Sequence, residues 1–276
     1  MGEVYRARVT RLERTVAVKV LPRNLSASPE LRQRFEREAK TISQLSHPHI
    51  CALYDVGREG AIDYLVMEYR EGETLSNRLA KGARPLEQTL RLATEIADAL
   101  DKAHRQRIVH RDLNPDNVMV TKSGAKLLDF GLAKAMAPAG IPQETSLPTR
   151  TSPVTQAGTI LGTFQYMAPE QLEGKDADKR TDIFSFGCLL YEMATGKKAL
   201  FGSSQASLIG AILKDEPPPI SSVEPMSPGR PVLAISSIRV VRTLPDPGRP
   251  CITTSILSSS SGGQCSSRLP CIREER

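Results

Sequence analysis

The spacing of apolar residues changes twice along the chain, and each change predicts a different kind of element. From Thr15 to Leu21, Val16, Val18 and Val20 fall on one face and Ala17, Lys19 and Leu21 on the other, the two-residue period of a strand. Ser28-Pro29 then supplies a capping residue followed by proline at a first helical position. Beyond it Leu31, Phe35, Glu38, Ile42 and Leu45 recur every three to four residues, which predicts an amphipathic helix with Glu38 inside its apolar stripe. Residues 50–56 and 62–69 read as two more strands, and Gly72 permits a sharp turn after them. Positions 86, 90, 93, 97 and 100 predict a long amphipathic helix from Leu86 to His104. Arg107-Ile108-Val109 reads as a short strand entering a tight loop. Val118 to Val120 and Ala125 to Leu128 read as a hairpin turned by Lys122-Ser123-Gly124. Residues 136–160 are rich in Pro, Thr and Ser and show no period, so they are expected to form a long mobile loop. Asp182 then opens a very apolar helix that runs to Thr195. Strands early and helices late predict an α+β fold.

Composition narrows the classes. With 276 residues the chain can bury a sizeable core. Its 37 Lys and Arg against 31 Asp and Glu are dispersed rather than striped, and Trp is absent, so no nucleic-acid footprint is expected. Five Cys in no paired spacing argue for a reducing compartment and against a zinc site. No apolar run reaches 18 residues and no signal peptide precedes the first strand. A soluble, cytoplasmic chain without a membrane segment is the expectation.

The chemistry concentrates in His110-Arg111-Asp112-Leu113-Asn114-Pro115-Asp116-Asn117 and, twelve residues on, Asp129-Phe130-Gly131. The first stretch places carboxylates and amides between paired strands, and the hairpin ends on another Asp. Oxygen donors gathered in this way suit Mg²⁺, which takes one or two carboxylates and completes its shell with phosphate and water. Earlier in the chain, Lys19 stands among small and apolar side chains, an unfavourable place for an ammonium without a partner. Glu38 is the candidate partner, since a carboxylate on an apolar stripe needs a cation.

The order H-R-D-L-x-P-x-N then D-F-G resembles the catalytic and metal-binding loops of bacterial, eukaryotic-like serine/threonine protein kinases. Val16-Ala17-Val18-Lys19, Ala168-Pro169-Glu170 and Asp182-Ile183-Phe184-Ser185-Phe186-Gly187 match the same family, as does Gly162-Thr163 with Tyr166-Met167. Gly2 and Val4 resemble the end of its glycine-rich loop, seventeen residues before Lys19; the first two glycines of that pattern do not occur here. The resemblance implies a two-lobed fold, a small antiparallel sheet with one helix and a larger, mainly helical lobe. It implies ATP and Mg²⁺ (or Mn²⁺) as cofactors and a protein Ser/Thr hydroxyl as acceptor. Asp112 would orient that hydroxyl and take its proton, Asn117 and Asp129 would hold the metal, and Lys19, fixed by Glu38, would hold phosphates. Gly2, Val4, Ala17, Met67, Glu68, Tyr69 and Met119 would surround the nucleotide, with residues 68–70 as the hinge. Asp182 would brace the catalytic loop. Residues between Asp129 and Glu170 would form the activation segment, where Thr145, Thr149, Thr151, Ser152, Thr155 and Thr159 are candidate phosphorylation sites, and self-association could serve autophosphorylation.

Two departures carry expectations of their own. Serine/threonine kinases have Lys where Asn114 stands, so a charge-assisted contact to the moving phosphoryl group is replaced by a neutral amide, on the order of 10²–10³ in rate. A catalytically weak or inactive nucleotide- or partner-binding module is therefore the alternative function. The resemblance extends to about Ile220. After Phe201 no aromatic residue occurs, after Lys214 no Lys, and Pro, Ser, Arg and Cys take over. Such a tail reads either as a disordered linker or as out-of-frame translation after about Pro228, the second being favoured. It lacks the Arg that the family pairs with Glu170. The expected organisation is an upper lobe over 1–69, a lower lobe over 70–220 and a tail over 221–276.

Overall fold

The computed structural model describes residues 3–21, 29–83, 85–130, 132 and 164–223. Gly2, Gly131, Gly162, Thr163, the six candidate phosphorylation sites and the tail from Glu224 lie outside the described residues.

The alternating segments pair as their periods predict. Strand β1 (Val4–Val9) runs antiparallel to β2 (Arg14–Val20), which pairs with β4 (Ile62–Glu68), which pairs with β3 (Leu53–Glu59). The register sets Val4 opposite Lys19 and Ala17 opposite Met67. Helix α1 (Pro29–Ile42) packs on this sheet through Phe35, Ala39 and Ile42, all buried. Its inner stripe thus runs through Ala39 where the spacing had suggested Glu38, one residue round the helix. Glu38 lies at the border of the stripe, half-buried.

Three residues after β4 the chain begins a second antiparallel sheet, β5 (Gly72–Thr74), β6 (Val118–Thr121) and β7 (Gly124–Leu127), in that order. Thr74 caps the short helix α2 (Leu75–Leu79) by accepting from the Asn77 N–H. Helix α3 (Leu86–Arg105) buries Thr89, Leu92, Ala93, Ile96, Ala99, Leu100 and Ala103. That face is wider than, and rotated from, the predicted row 86, 90, 93, 97 and 100, because α3 packs against both β7 and a later helix. Glu95 Oε2 accepts from the Ala125 N–H at 2.7 Å and fastens the hairpin to α3.

Residues 107–109 form no strand. Arg107 adopts a left-handed conformation (φ 59°) directly after the helix, and the Ile108 N–H reaches back to the Ala103 carbonyl at 2.9 Å. These bonds end α3 and consume the backbone that a strand would need. Further on lie α4 (Pro169–Leu172), α5 (Lys179–Thr195), α6 (Gln205–Lys214) and α7 (Ile220–Val223). Helix α5 is capped by Asp178, not Asp182, and ends on Gly196 in the left-handed region (φ 69°). Leu75, Ile96, Leu113, Val118, Leu127, Leu189, Met193 and Leu208 form the deepest part of the core.

Gly72 matters for a reason beyond turning. A Cβ there would lie 2.6 Å from the Val120 carbonyl oxygen, so β5 can approach β6 only without a side chain. Gly72→Ala is expected to lower stability by about 1–3 kcal/mol, the range for forced overpacking, read as a lower midpoint in urea unfolding.

Candidate active site

The loop between α3 and β6 is held from below by one buried carboxylate. Asp182, fully buried in the first turn of α5, accepts the His110 N–H on Oδ2 and the Arg111 N–H on Oδ1, both at 2.8 Å. His104 Nε2 adds a third contact to Oδ2 at 2.7 Å. Arg111 takes a left-handed conformation (φ 63°) between these anchors, so the bend is pinned on both sides. His110 contacts the Leu128 carbonyl at 2.9 Å through Nε2, and its ring tilts against buried Phe130 with centroids 4.6 Å apart.

Above this brace the functional side chains are locked by amides. Asn117 donates its Nδ2 to the Asp112 carbonyl at 2.8 Å and to its carboxylate Oδ2 at 2.9 Å. Asn114 donates to the same carbonyl at 3.1 Å and to Oδ1 at 3.4 Å. Its own oxygen caps the 3₁₀ turn 115–117 by accepting from the Asp116 and Asn117 N–H groups at 2.9 and 3.2 Å. Asn114 is therefore a structural cap as well as a clamp on Asp112, since its amide offers both an acceptor and a donor. Asp129, two residues past β7, has φ 53° and its carboxylate accepts from Lys19 Nζ at 2.5 Å. Lys19 comes from β2, so this contact joins the first sheet to the end of the β6–β7 hairpin.

The expected Lys19–Glu38 pair does not form here. Glu38 Oε1 instead lies 3.6 Å from Arg34 Nε, one turn earlier on α1, and 4.0 Å from Arg111 Nη1. The physical reason is supply. Two guanidinium groups stand closer to Glu38 than does Lys19, whose ammonium is taken by Asp129.

Of the residues expected around a nucleotide, Ala17 and Met67 face each other across β2 and β4, and Val4 is next to Lys19 in register. Met119 stands opposite Lys126 in the β6–β7 pair, below. Val4 is 59 % exposed, on the open side of the first sheet. Glu68 ends β4 and Tyr69 follows it, with Arg6 of β1 lying over the Tyr69 ring at 4.9 Å.

As for a metal, no group of three or more His, Cys, Asp and Glu gathers among the described residues. Asp129 and Asn117 nevertheless fit a hard cation. They bring one carboxylate and an amide whose oxygen accepts no hydrogen bond among the described residues, and an ion of this kind takes its remaining ligands from phosphate and water.

This arrangement has known counterparts. The Protein kinase domain family matches residues 1–227. The chain belongs to the protein kinase domain family. A probable serine/threonine-protein kinase of Streptomyces coelicolor is 41 % identical over 231 residues, which is 82 % of this chain and 33 % of that protein. Serine/threonine-protein kinase PknB of Mycobacterium tuberculosis is 38 % identical over 228 residues, 80 % of this chain and 35 % of that one. The chain thus spans about a third of the length of these curated relatives. The crystal structure of the M. tuberculosis PknI kinase domain superposes with a TM-score of 0.60 at 28 % identity, covering 82 % of this chain and 77 % of that one. The kinase fold, a small antiparallel sheet beside a larger helical part, is therefore established, and no described helix is long and apolar enough to cross a membrane.

Several polar groups around the site were not anticipated from the sequence. Lys126 of β7 is buried, and its Nζ donates to Glu68 Oε2 at 2.7 Å. The signal was available, since a lone cation in the apolar run Ala125 to Leu128 poses the same question as Lys19. Glu170 was expected to lack a partner, yet the Thr181 hydroxyl donates to it at 2.6 Å and it is only half-buried. Buried Tyr166 donates to Glu192, and Lys198 lies 2.6 Å from both the phenol and that carboxylate. Burial and the neighbouring Glu192 charge hold the Tyr166 hydroxyl well above the ordinary tyrosine range.

Asp182→Asn would put an amide NH₂ opposite a backbone N–H. The expected loss is about 1–3 kcal/mol, the cost of an unsatisfied buried donor, seen as a lower melting temperature even without ligand.

Proposed function

We propose that the chain is a protein serine/threonine kinase domain that transfers the γ-phosphoryl group of ATP to protein hydroxyls with Mg²⁺. The observation that carries this reading is a pair of contacts, Lys19 with Asp129 and Asn117 with Asp112, linked by the Leu128 N–H donating to the Asn117 carbonyl at 2.9 Å. Asp112 orients the acceptor hydroxyl and takes its proton, and its carboxylate is kept in one rotamer by Asn114 and Asn117. Asn117 and Asp129 would hold the ion; when bound, it would neutralise phosphate charge. Mn²⁺ satisfies the same oxygen ligands. Lys19 reaches the phosphates once it leaves Asp129, and Glu38 then becomes its partner in place of Arg111. The backbone of residues 68–70 reads the base, with Ala17, Val4 and Met119 against its faces, Met67 behind it and Gly2 over the phosphates. Positioning and charge neutralisation, rather than covalent chemistry, supply most of the rate in such a site.

A second reading, a nucleotide- or partner-binding module with little transfer, is favoured by the neutral Asn114 and by Glu38 lying on Arg111. Transfer of labelled γ-phosphate to a basic protein, with Asp112→Asn as control, separates the two. Transfer by the wild type that falls by at least ~10²-fold in the control supports the kinase. Mg²⁺·ATP binding without transfer by either protein supports the module.

Two further outcomes follow from the geometry. Asp129→Ala should leave the fold intact and abolish Mg²⁺-dependent nucleotide binding; calorimetric affinity within about twofold of wild type would remove Asp129 from the metal site. Asn114→Lys should raise turnover with little change in the Michaelis constant for ATP, because its charge acts where negative charge moves. The same substitution removes the cap, so its melting temperature should fall with a stability loss of about 1 kcal/mol.

A further inference from the structure

Among the ion pairs that cross from the first sheet to the second, Glu68–Lys126 is the most deeply enclosed. The two side chains are 9 % and 8 % exposed, against 19 % and 23 % for Lys19 and Asp129. Glu68 is the last residue of β4, where the first sheet ends, and Lys126 belongs to β7, three residues before Asp129. Residues 49–52 are stitched between them. The Glu68 N–H donates to the Ala52 carbonyl at 2.9 Å, the Cys51 N–H to the Leu127 carbonyl at 2.8 Å, and the Leu127 N–H to the His49 carbonyl at 2.9 Å. Lys126 Nζ also donates to the Ile50 carbonyl at 3.2 Å, and Glu68 also accepts from Arg70 Nε at 2.5 Å and from the Ala52 N–H at 3.3 Å. Burial alone would push the Glu68 carboxyl up. The hydrogen bonds from Lys126 and Arg70 outweigh it and hold the group below its ordinary value, so the carboxylate is ionised at neutral pH.

We infer that Lys126 and Glu68 are positioning residues that fix the base-reading edge of the site at a set distance from its metal-holding edge. The inference rests on the nucleotide reading of residues 68–70 and Asp129 given above. A buried ion pair contributes little net stability compared with an apolar pair of the same volume, so its presence here needs a reason other than stability. The reason is geometric. A ligand that touches only residues 68–70 gains nothing from a rigid joint. A ligand that touches residues 68–70 and Asp129 together binds as one piece only if the two edges are held in register beforehand. With the joint loosened, that second ligand must order it on binding.

The test compares adenosine, which reaches only the base edge, with Mg²⁺·ADP, which reaches both, by calorimetry on the full chain. Lys126→Met keeps the apolar stem of the side chain without its ammonium and leaves Glu68 with Arg70, so the carboxylate is not orphaned. The expected result is unchanged adenosine affinity and Mg²⁺·ADP affinity weakened by about 3- to 10-fold, within the range of coupling between residues of one network. The double variant Glu68→Gln, Lys126→Met removes both enclosed charges and leaves only the exposed Arg70 guanidinium to water, so its melting temperature should stay near that of wild type while the same selective loss appears. It keeps the experiment readable if Lys126→Met alone does not fold. Lys126→Arg, which retains a cation, should recover most of the Mg²⁺·ADP affinity. Equal weakening of both ligands, or no weakening of either, would overturn the positioning role. A wild type that binds neither ligand would overturn the nucleotide site itself, and the inference with it.

Discussion

The catalytic segment depends on the enclosure of Asp182. A carboxylate with no exposure must have its charge answered, and here two backbone N–H groups and a histidine answer it. Those two N–H groups belong to the residues just before Asp112, one of them in a left-handed conformation that few residues adopt unaided. The helix α5 that carries Asp182 is among the most buried elements, so the loop takes its position from the core rather than from its own short sequence. Everything beyond follows in steps: His110 reaches the end of the hairpin, Asn114 caps the 3₁₀ turn, and two amides settle the Asp112 carboxylate.

Burial divides the charged contacts that the first sheet and α1 make with the loop around Asp112 and the β6–β7 hairpin into movable and fixed ones. Lys19–Asp129 and Arg111–Glu38 are partly open to water, where an ion pair gains only about 0–1 kcal/mol and is readily exchanged. Glu68–Lys126 is closed off, and losing Glu68 would strand the Lys126 charge at about 3–5 kcal/mol. The exchangeable pairs involve the groups proposed to meet phosphate and metal. The fixed pair sits at the joint about which they would have to move. This placement allows Lys19 to change partners while the spacing of the two edges is retained.

Much of this was legible in the chain because it depends on local period and fixed spacing. The strand with Lys19, the hairpin leading to Asp129 and the bracing of the loop by Asp182 appear as read, and the family resemblance is borne out by the family match. The failures share a cause, which is dependence on neighbours far along the chain. The inner face of α3 is set by contact with both β7 and α5, so its own spacing could not locate it. Residues 107–109 look like a strand by composition, but their hydrogen bonds serve the end of α3. The spacing along α1 and β2 alone pairs Glu38 with Lys19, but Arg111, more than seventy positions later, competes for it. The family pattern offers Glu170 an arginine, whereas in this fold a threonine hydroxyl eleven residues on meets it. The lone cation Lys126 is readable by the same reasoning as Lys19, although it lies in no motif.

The central claim is that Asp129 is shared between an ammonium and a metal-bound nucleotide. The direct measurement is a crystal structure of the full chain with Mg²⁺ and a non-hydrolysable ATP analogue. Lys19 Nζ, now 2.5 Å from Asp129, should then lie on phosphate oxygens with Glu38 as its carboxylate partner, and Asp129 with Asn117 should face the ion. An analogue bound with Lys19 still on Asp129 and Glu38 still on Arg111 would contradict it.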